Sequence, residues 1–152
     1  MARPAYIMLC QSTSIEPGTN RISFLHAVEG IQAGDTPPTG QPIPAGAPFT
    51  PPHLTTAWLR EPGDSSEDVF ESDIICTTPS GMPVFMSPPQ RFSFAKNVNI
   101  HRFMAANIPF GGTPEHGIHL VEARIRKVGE PDWTAKQQYA FHVTVTPESV
   151  PA

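Results

Sequence analysis

His116-Gly117-Ile118-His119, with Glu122 three residues further on, gathers more metal-ligating side chains than any other stretch of the sequence. Two imidazoles and a carboxylate suit a divalent transition metal. The spacing works against a ready-made site. Successive side chains on a strand point to opposite faces, so His116 and His119 diverge unless a turn at Gly117 brings them together. His101 or His142 could add a third ligand. The expectation is that His116 and His119 are turn and strand histidines, with no metal and no other cofactor.

A cupin barrel would ask for HxH, then a glutamate, then a distant histidine, whereas the spacing here is HxxH. A cupin-like metal-dependent enzyme is therefore kept only as an alternative. Other catalytic constellations find less support. There is no G-x-S-x-G, and Pro79-Ser80-Gly81 reads as an ordinary turn. No P-loop and no G-x-G-x-x-G occurs; Gly111-Gly112-Thr113 is too short and precedes a strand. Asp64-Ser65-Ser66-Glu67-Asp68 lacks the alternating oxygens and central glycine of a calcium loop. The acids Glu61, Asp64, Glu67, Asp68, Glu71 and Asp73 read together as a solvated loop. Cys10 and Cys76 are too few for a disulfide framework and fall in apolar strands, which predicts two buried thiols. The chain is expected not to be an enzyme.

A net charge of −4 argues against general nucleic-acid binding. Residues 1–90 are acidic and 91–152 basic on balance, an asymmetry that would favour head-to-tail association if the fold kept the halves on separate faces. Arg91, Lys96, Arg102, Arg124, Arg126 and Lys127 with Phe92, Phe94 or Phe103 could form a stacking platform for single strands. The phenylalanines, however, alternate with polar residues as core residues do. No apolar segment reaches the length of a membrane span, and the run Ala5–Cys10 lacks a small-residue cleavage pattern. A cytoplasmic location is the expectation.

The elements that must carry these side chains are strands. Nineteen prolines and eleven glycines in 152 residues interrupt every window of helical spacing. Residues 116–146 give the clearest pattern. Val121, Ala123 and Ile125 alternate with Glu122, Arg124 and Arg126; Tyr139, Phe141 and Val143 alternate with Ala140, His142 and Thr144. Gly129-Glu130-Pro131-Asp132 is the turn between them. This hairpin should put its apolar set in the core and Arg124, Arg126 and His142 outward, with Trp133 folded over an edge of the core.

Further strands are expected over 5–10, 21–31, 54–60, 69–77, 82–86, 91–96 and 100–108, with a bulge or bend near His26 where the parity of 21–31 switches. Residues 32–53, with seven prolines, form a loop that wraps an edge or reaches a neighbour. Its Pro48-Phe49-Thr50-Pro51 fits PxxP. The fold class is all-β: one two-sheet antiparallel β-sandwich over 1–147, jelly-roll-like or immunoglobulin-like, of eight or nine strands, with a tail at 148–152.

Tyr6-Ile7-Met8-Leu9-Cys10, a strand ending at a cysteine, precedes a glycine turn and Arg21-Ile22-Ser23-Phe24-Leu25; a terminal strand–turn–strand carries Trp133. This order resembles a group of small bacterial proteins of unknown function. The likeness covers both ends of the chain and implies an all-β fold and no activity.

The functional expectation is a structural or adaptor sandwich acting through protein–protein contacts, within an oligomer or larger assembly. Pro48, Phe49, Pro51, Arg124 and Arg126 are its candidate contact residues. The alternative is a small-ligand or carbohydrate-binding sandwich in which Trp58, Trp133 and Tyr139 stack on the ligand.

Overall fold

The computed structural model describes residues 1–16, 21–33, 53–105 and 115–145. Among the described residues there are ten strands and no helix: β1 (Arg3–Ile15), β2 (Ile22–Ala27), β3 (Gly30–Ala33), β4 (His53–Leu59), β5 (Phe70–Thr77), β6 (Pro83–Met86), β7 (Gln90–Phe92), β8 (Ile100–Ala105), β9 (Gly117–Lys127) and β10 (Ala135–Val145). One sheet has the order β2-β1-β4-β8; the other runs β3-β10-β9-β5-β6, with β7 also paired to β5. Every pairing is antiparallel except the edge pair β3–β10. The chain is a two-sheet β-sandwich, as its alternation and turn chemistry imply. The proline-rich stretch and the tail lie outside the described residues, apart from Gln32 and Ala33 in β3 and His53 in β4.

The strand count exceeds the expectation partly because residues 21–31 do not form one strand. The chain leaves the first sheet after Ala27 and enters the second at Gly30. His26 adopts φ 55°, left-handed backbone that a non-glycine residue seldom takes. The parity switch there marks a passage between sheets. Two hydrogen bonds fix it: Val28 N–H donates to Leu9 O at 2.8 Å, and the Tyr139 hydroxyl donates to Val28 O at 3.0 Å.

β1 is also longer than expected and is bent. Phe24 pairs with Thr13, yet its ring meets Tyr6 edge-on at 5.3 Å. A straight strand would hold Thr13 about 23 Å from Tyr6. Thr13 likewise contacts Met104 Sδ at 3.6 Å, beyond the reach of an unbent strand. The outer half of β1, with β2, folds back across the first sheet.

Between the sheets the core follows the alternation of each strand. Leu9, Leu54 and Trp58 face Ile74, Cys76, Val121, Ala123, Ile125, Phe141 and Val143, with Tyr139 packed against them. The hairpin's apolar set is thus core, as its pattern indicates. Phe70, Phe92 and Phe94 pack together as part of this core, with centroid separations of 5.5–5.9 Å. β7 stops at Phe92, two residues short of Phe94, which is nonetheless buried.

Polar side chains tie one sheet to the other. Trp58 Nε1–H donates to Ser72 Oγ at 3.2 Å, and Gln137 Nε2 donates to Thr56 Oγ1 and to Ala57 O. At the β7–β8 side His101 stacks on Phe92 at 3.8 Å between centroids. Burial holds the His101 imidazole below its ordinary value of 6.5. The native state then binds fewer protons than the unfolded chain once pH drops below that value. Stability from this residue is full above about pH 6.5 and falls as the solution is acidified. Urea midpoints measured across this range should decline for the wild type, and His101→Phe should flatten that part of the curve.

Candidate functional site

The outer face of the six-stranded sheet carries the side chains that face away from the core, and it divides into a charged half and an apolar half. Register sets the charged half. Glu71 of β5 stands opposite Arg126 of β9 and Arg91 of β7, and Asp73 stands opposite Arg124. Arg124 binds Asp73 with two hydrogen bonds, Nε to Oδ1 at 2.9 Å and Nη2 to Oδ2 at 2.6 Å. Arg126 Nε donates to Glu71 Oε1 at 2.6 Å, and Arg91 reaches Oε2 at 3.5 Å. The Arg126 guanidinium holds the Glu71 carboxyl below the usual carboxylate range. At the turn, where Gly129 takes φ 97°, the chain folds Trp133 back over both arginines. Their guanidinium carbons lie 4.6 and 4.5 Å from its ring centre, a double cation–π contact.

Several expectations change here. Trp133 covers the outer ion-pair ladder and not an edge of the core. Glu71 and Asp73 are buried strand residues, and Asp64 is a buried turn residue that accepts the Glu61 N–H at 2.9 Å; these three do not belong to a solvated loop. Arg124 and Arg126 point outward as their parity requires, but their guanidinium groups are spent on Asp73, Glu71 and Trp133. The charge asymmetry is also absorbed within the chain, since acids of the first half pair with bases of the second: Glu71 with Arg91 and Arg126, Asp73 with Arg124, and Asp68 with Lys127.

The three aromatic residues considered for ligand stacking are not brought together. Trp58 is fully buried between the sheets and has no face to offer. Tyr139 lies on the inner face and its hydroxyl is bound to Val28. Trp133 is half-buried and clamped by two arginines. Pro48, Phe49 and Pro51 lie outside the described residues.

The histidines are arranged by the same alternation. His119 is on the inner face, buried against Phe141 at 5.5 Å between centroids. His116 and His142 are exposed and meet edge-on, with centroids 5.1 Å apart. The pair tested by spacing, His116 with His119, is therefore split, and the neighbour of His116 comes from β10. Gly117 takes φ 131°, and a Cβ there would lie 3.0 Å from Pro79 Cγ. At this φ, and for Pro79 to pack as it does, position 117 favours glycine. Among the described residues no group of three or more His, Cys, Asp or Glu is placed to hold a metal ion.

Nucleophiles fare no better. Cys76 is buried, and burial pushes its thiol up to about 12, so it stays protonated and inert at neutral pH. The Ser80 hydroxyl donates to Glu115 Oε1 at 2.7 Å, and that bond holds the Glu115 carboxyl below the ordinary range. A carboxylate so stabilised is a poor base for activating the serine. An open depression of about 410 Å³ lined by Arg3, Leu59, Arg60, Glu61, Pro62 and Asn99 offers two cations. Arg3 is already paired with Glu61 at 2.6 Å, and Arg60 donates twice to Asp64 O.

What remains unpaired is the apolar half of the outer face. Along β9, Ile118 and Leu120 project outward, 57% and 38% exposed, and Met86 of β6 is 58% exposed. Leu120 stands between Thr77 of β5 and Ala140 of β10, and Met86 stands beside Ile75. Met86 and Ile75 share a row with Glu122 of β9, and Leu120 stands in the next row, diagonal to Ile75. Their signal was present in the sequence, since Ile118 and Leu120 share parity with Glu122 and Arg124, the wrong face for a core residue. No family model matches this chain, and neither the curated proteins nor the solved structures provide a match.

Proposed function

We propose that the protein is a non-enzymatic structural or adaptor β-sandwich that works through protein–protein contacts, as a subunit of an assembly of its own copies or with another protein. One observation carries the reading: Ile118, Leu120 and Met86 form an apolar surface on a sheet face whose other half is a self-satisfied ion-pair ladder. Contiguous apolar surface held in water is unfavourable, and on proteins it marks contact sites. The neighbouring ladder, already paired, demands no opposite charge from a partner and can sit at the rim of such a contact.

The test is light scattering across a wide concentration range. The wild type should gain mass with concentration, and Ile118→Lys combined with Leu120→Lys should return it to the monomer without lowering its melting temperature. A wild type that stays monomeric at the highest attainable concentration counts against the reading.

A further inference from the structure

We infer that His116 and His142 form a two-imidazole site for a divalent transition metal of the zinc, nickel or copper class, on the outer face of the β9–β10 hairpin. The site adjoins the apolar surface proposed above, since His142 stands opposite Ile118, but it rests on different side chains. The inference rests first on register. His142 faces outward opposite Ile118, and His116, immediately before β9, meets its ring.

Geometry is the second support. An ion about 2.1 Å from one nitrogen of each ring, bound with tetrahedral angles, sets the two ring centres about 5 Å apart. The observed separation is 5.1 Å, with the ring planes at 85°. The rings are already neighbours at that spacing, and rotation about the side-chain torsions turns one nitrogen of each toward a shared ion.

The third support is a polar neighbour on one ring nitrogen. Thr144 Oγ1 lies 3.3 Å from His142 Nδ1. In the tautomer with Nδ1–H donating to that hydroxyl, Nε2 carries the lone pair; in the other, the hydroxyl donates to Nδ1. A partner on the second ring nitrogen is what orients a metal-binding histidine elsewhere in proteins. Both rings are exposed, so they can ligate without unfolding any part of the sheet. The basic residues of this face, Arg91, Arg124, Arg126 and Lys136, stand in the rows at the other end, nearer the turn. They do not crowd an incoming cation. Two ligands leave the remaining coordination positions to water, so the site should bind reversibly and select soft or borderline ions over calcium and magnesium.

Calorimetric titration of the untagged full chain with Zn²⁺, at slightly alkaline pH, tests this. The expected result is one saturable equivalent that is absent with Mg²⁺ and disappears as the solution is acidified below the histidine range, because a ligating imidazole must be deprotonated. His116→Ala and His142→Ala should each weaken binding at least about tenfold, since losing a ligand costs no less than losing an outer partner. His26→Ala, an exposed histidine at the other sheet, should change nothing. Melting temperatures without metal should match across the three variants, which separates loss of the site from loss of the fold. No saturable zinc binding in the wild type, or binding that survives either His116→Ala or His142→Ala, overturns the assignment.

Discussion

Trp58→Ala should lower the free energy of unfolding by about 3–5 kcal/mol, the range for removing a large aromatic from a packed core. Trp58 is the next-to-last residue of β4 and is fully buried. Its ring spans the gap between sheets, and its Nε1–H is the donor to Ser72 Oγ on β5. Truncation removes the ring's apolar burial, leaves a cavity that two rigid sheets cannot close, and strips the donor from a buried serine hydroxyl. Trp58→Phe separates these contributions. It keeps most of the packing and loses the hydrogen bond, and should cost a smaller share of the total. Denaturant unfolding followed by far-ultraviolet circular dichroism reads both, with Trp133 left in place. A loss below about 1 kcal/mol for Trp58→Ala would contradict its place at the centre of the sandwich. The result also bears on ligand binding: a tryptophan serving a sugar at the surface could be truncated with little effect on stability.

The second large effect is expected at the ion-pair ladder. Arg124→Ala should destabilise the protein by about 2–4 kcal/mol, because it leaves the carboxylate of Asp73 without its fork of donors. Asp73 has only 4% of its side chain exposed and Arg124 22%, so the pair is well shielded from water. Trp133 would also lose one of its two guanidinium neighbours. Removing both charges should be milder. The double variant Asp73→Val with Arg124→Val places two β-branched apolar residues directly across from each other on adjacent strands, an arrangement sheets favour. A double-mutant cycle should therefore show strong coupling, with the double variant less destabilised than the two single losses added together. Raising the salt concentration should change this coupling little, in contrast to the exposed Lys136–Glu122 contact. Additive single effects would mean that the two side chains do not act as a pair.

How far these features were legible differs from strand to strand. The β9–β10 hairpin could be read almost whole. Its strict alternation names the buried residues, Gly129 and Pro131 name the turn, and the period of two names which histidine faces which way. Trp58 could be placed on a strand, but not inside it. The segment Leu54-Thr55-Thr56-Ala57-Trp58 is buried on both faces, so alternation is erased by the cover that the bent β1–β2 hairpin lays over one side. Local pattern cannot see a bend whose cause is contact with another strand. The acids of β5 were misplaced for a related reason. Glu71 and Asp73 look solvated when counted with the acids before them, and only their register against Arg126 and Arg124 shows that they are paired and covered.

The sequence by itself determined that this chain builds strands, roughly where they lie, and which side of the final hairpin is apolar. These follow from side-chain alternation and from proline and glycine, which act within a few residues. Tertiary structure alone decided the partners. It divided residues 21–31 between two sheets, buried Trp58, spent Arg124 and Arg126 on acids more than fifty residues away, and set His116 beside His142 while turning His119 inward. Each of these depends on which strands become neighbours and in what register, and that choice is made by the packing of the whole chain. The exposed apolar residues Ile118, Leu120 and Met86 belong to both levels: parity puts Ile118 and Leu120 on the outer face, and the pairing of β9, β5 and β6 brings Met86 to the same face.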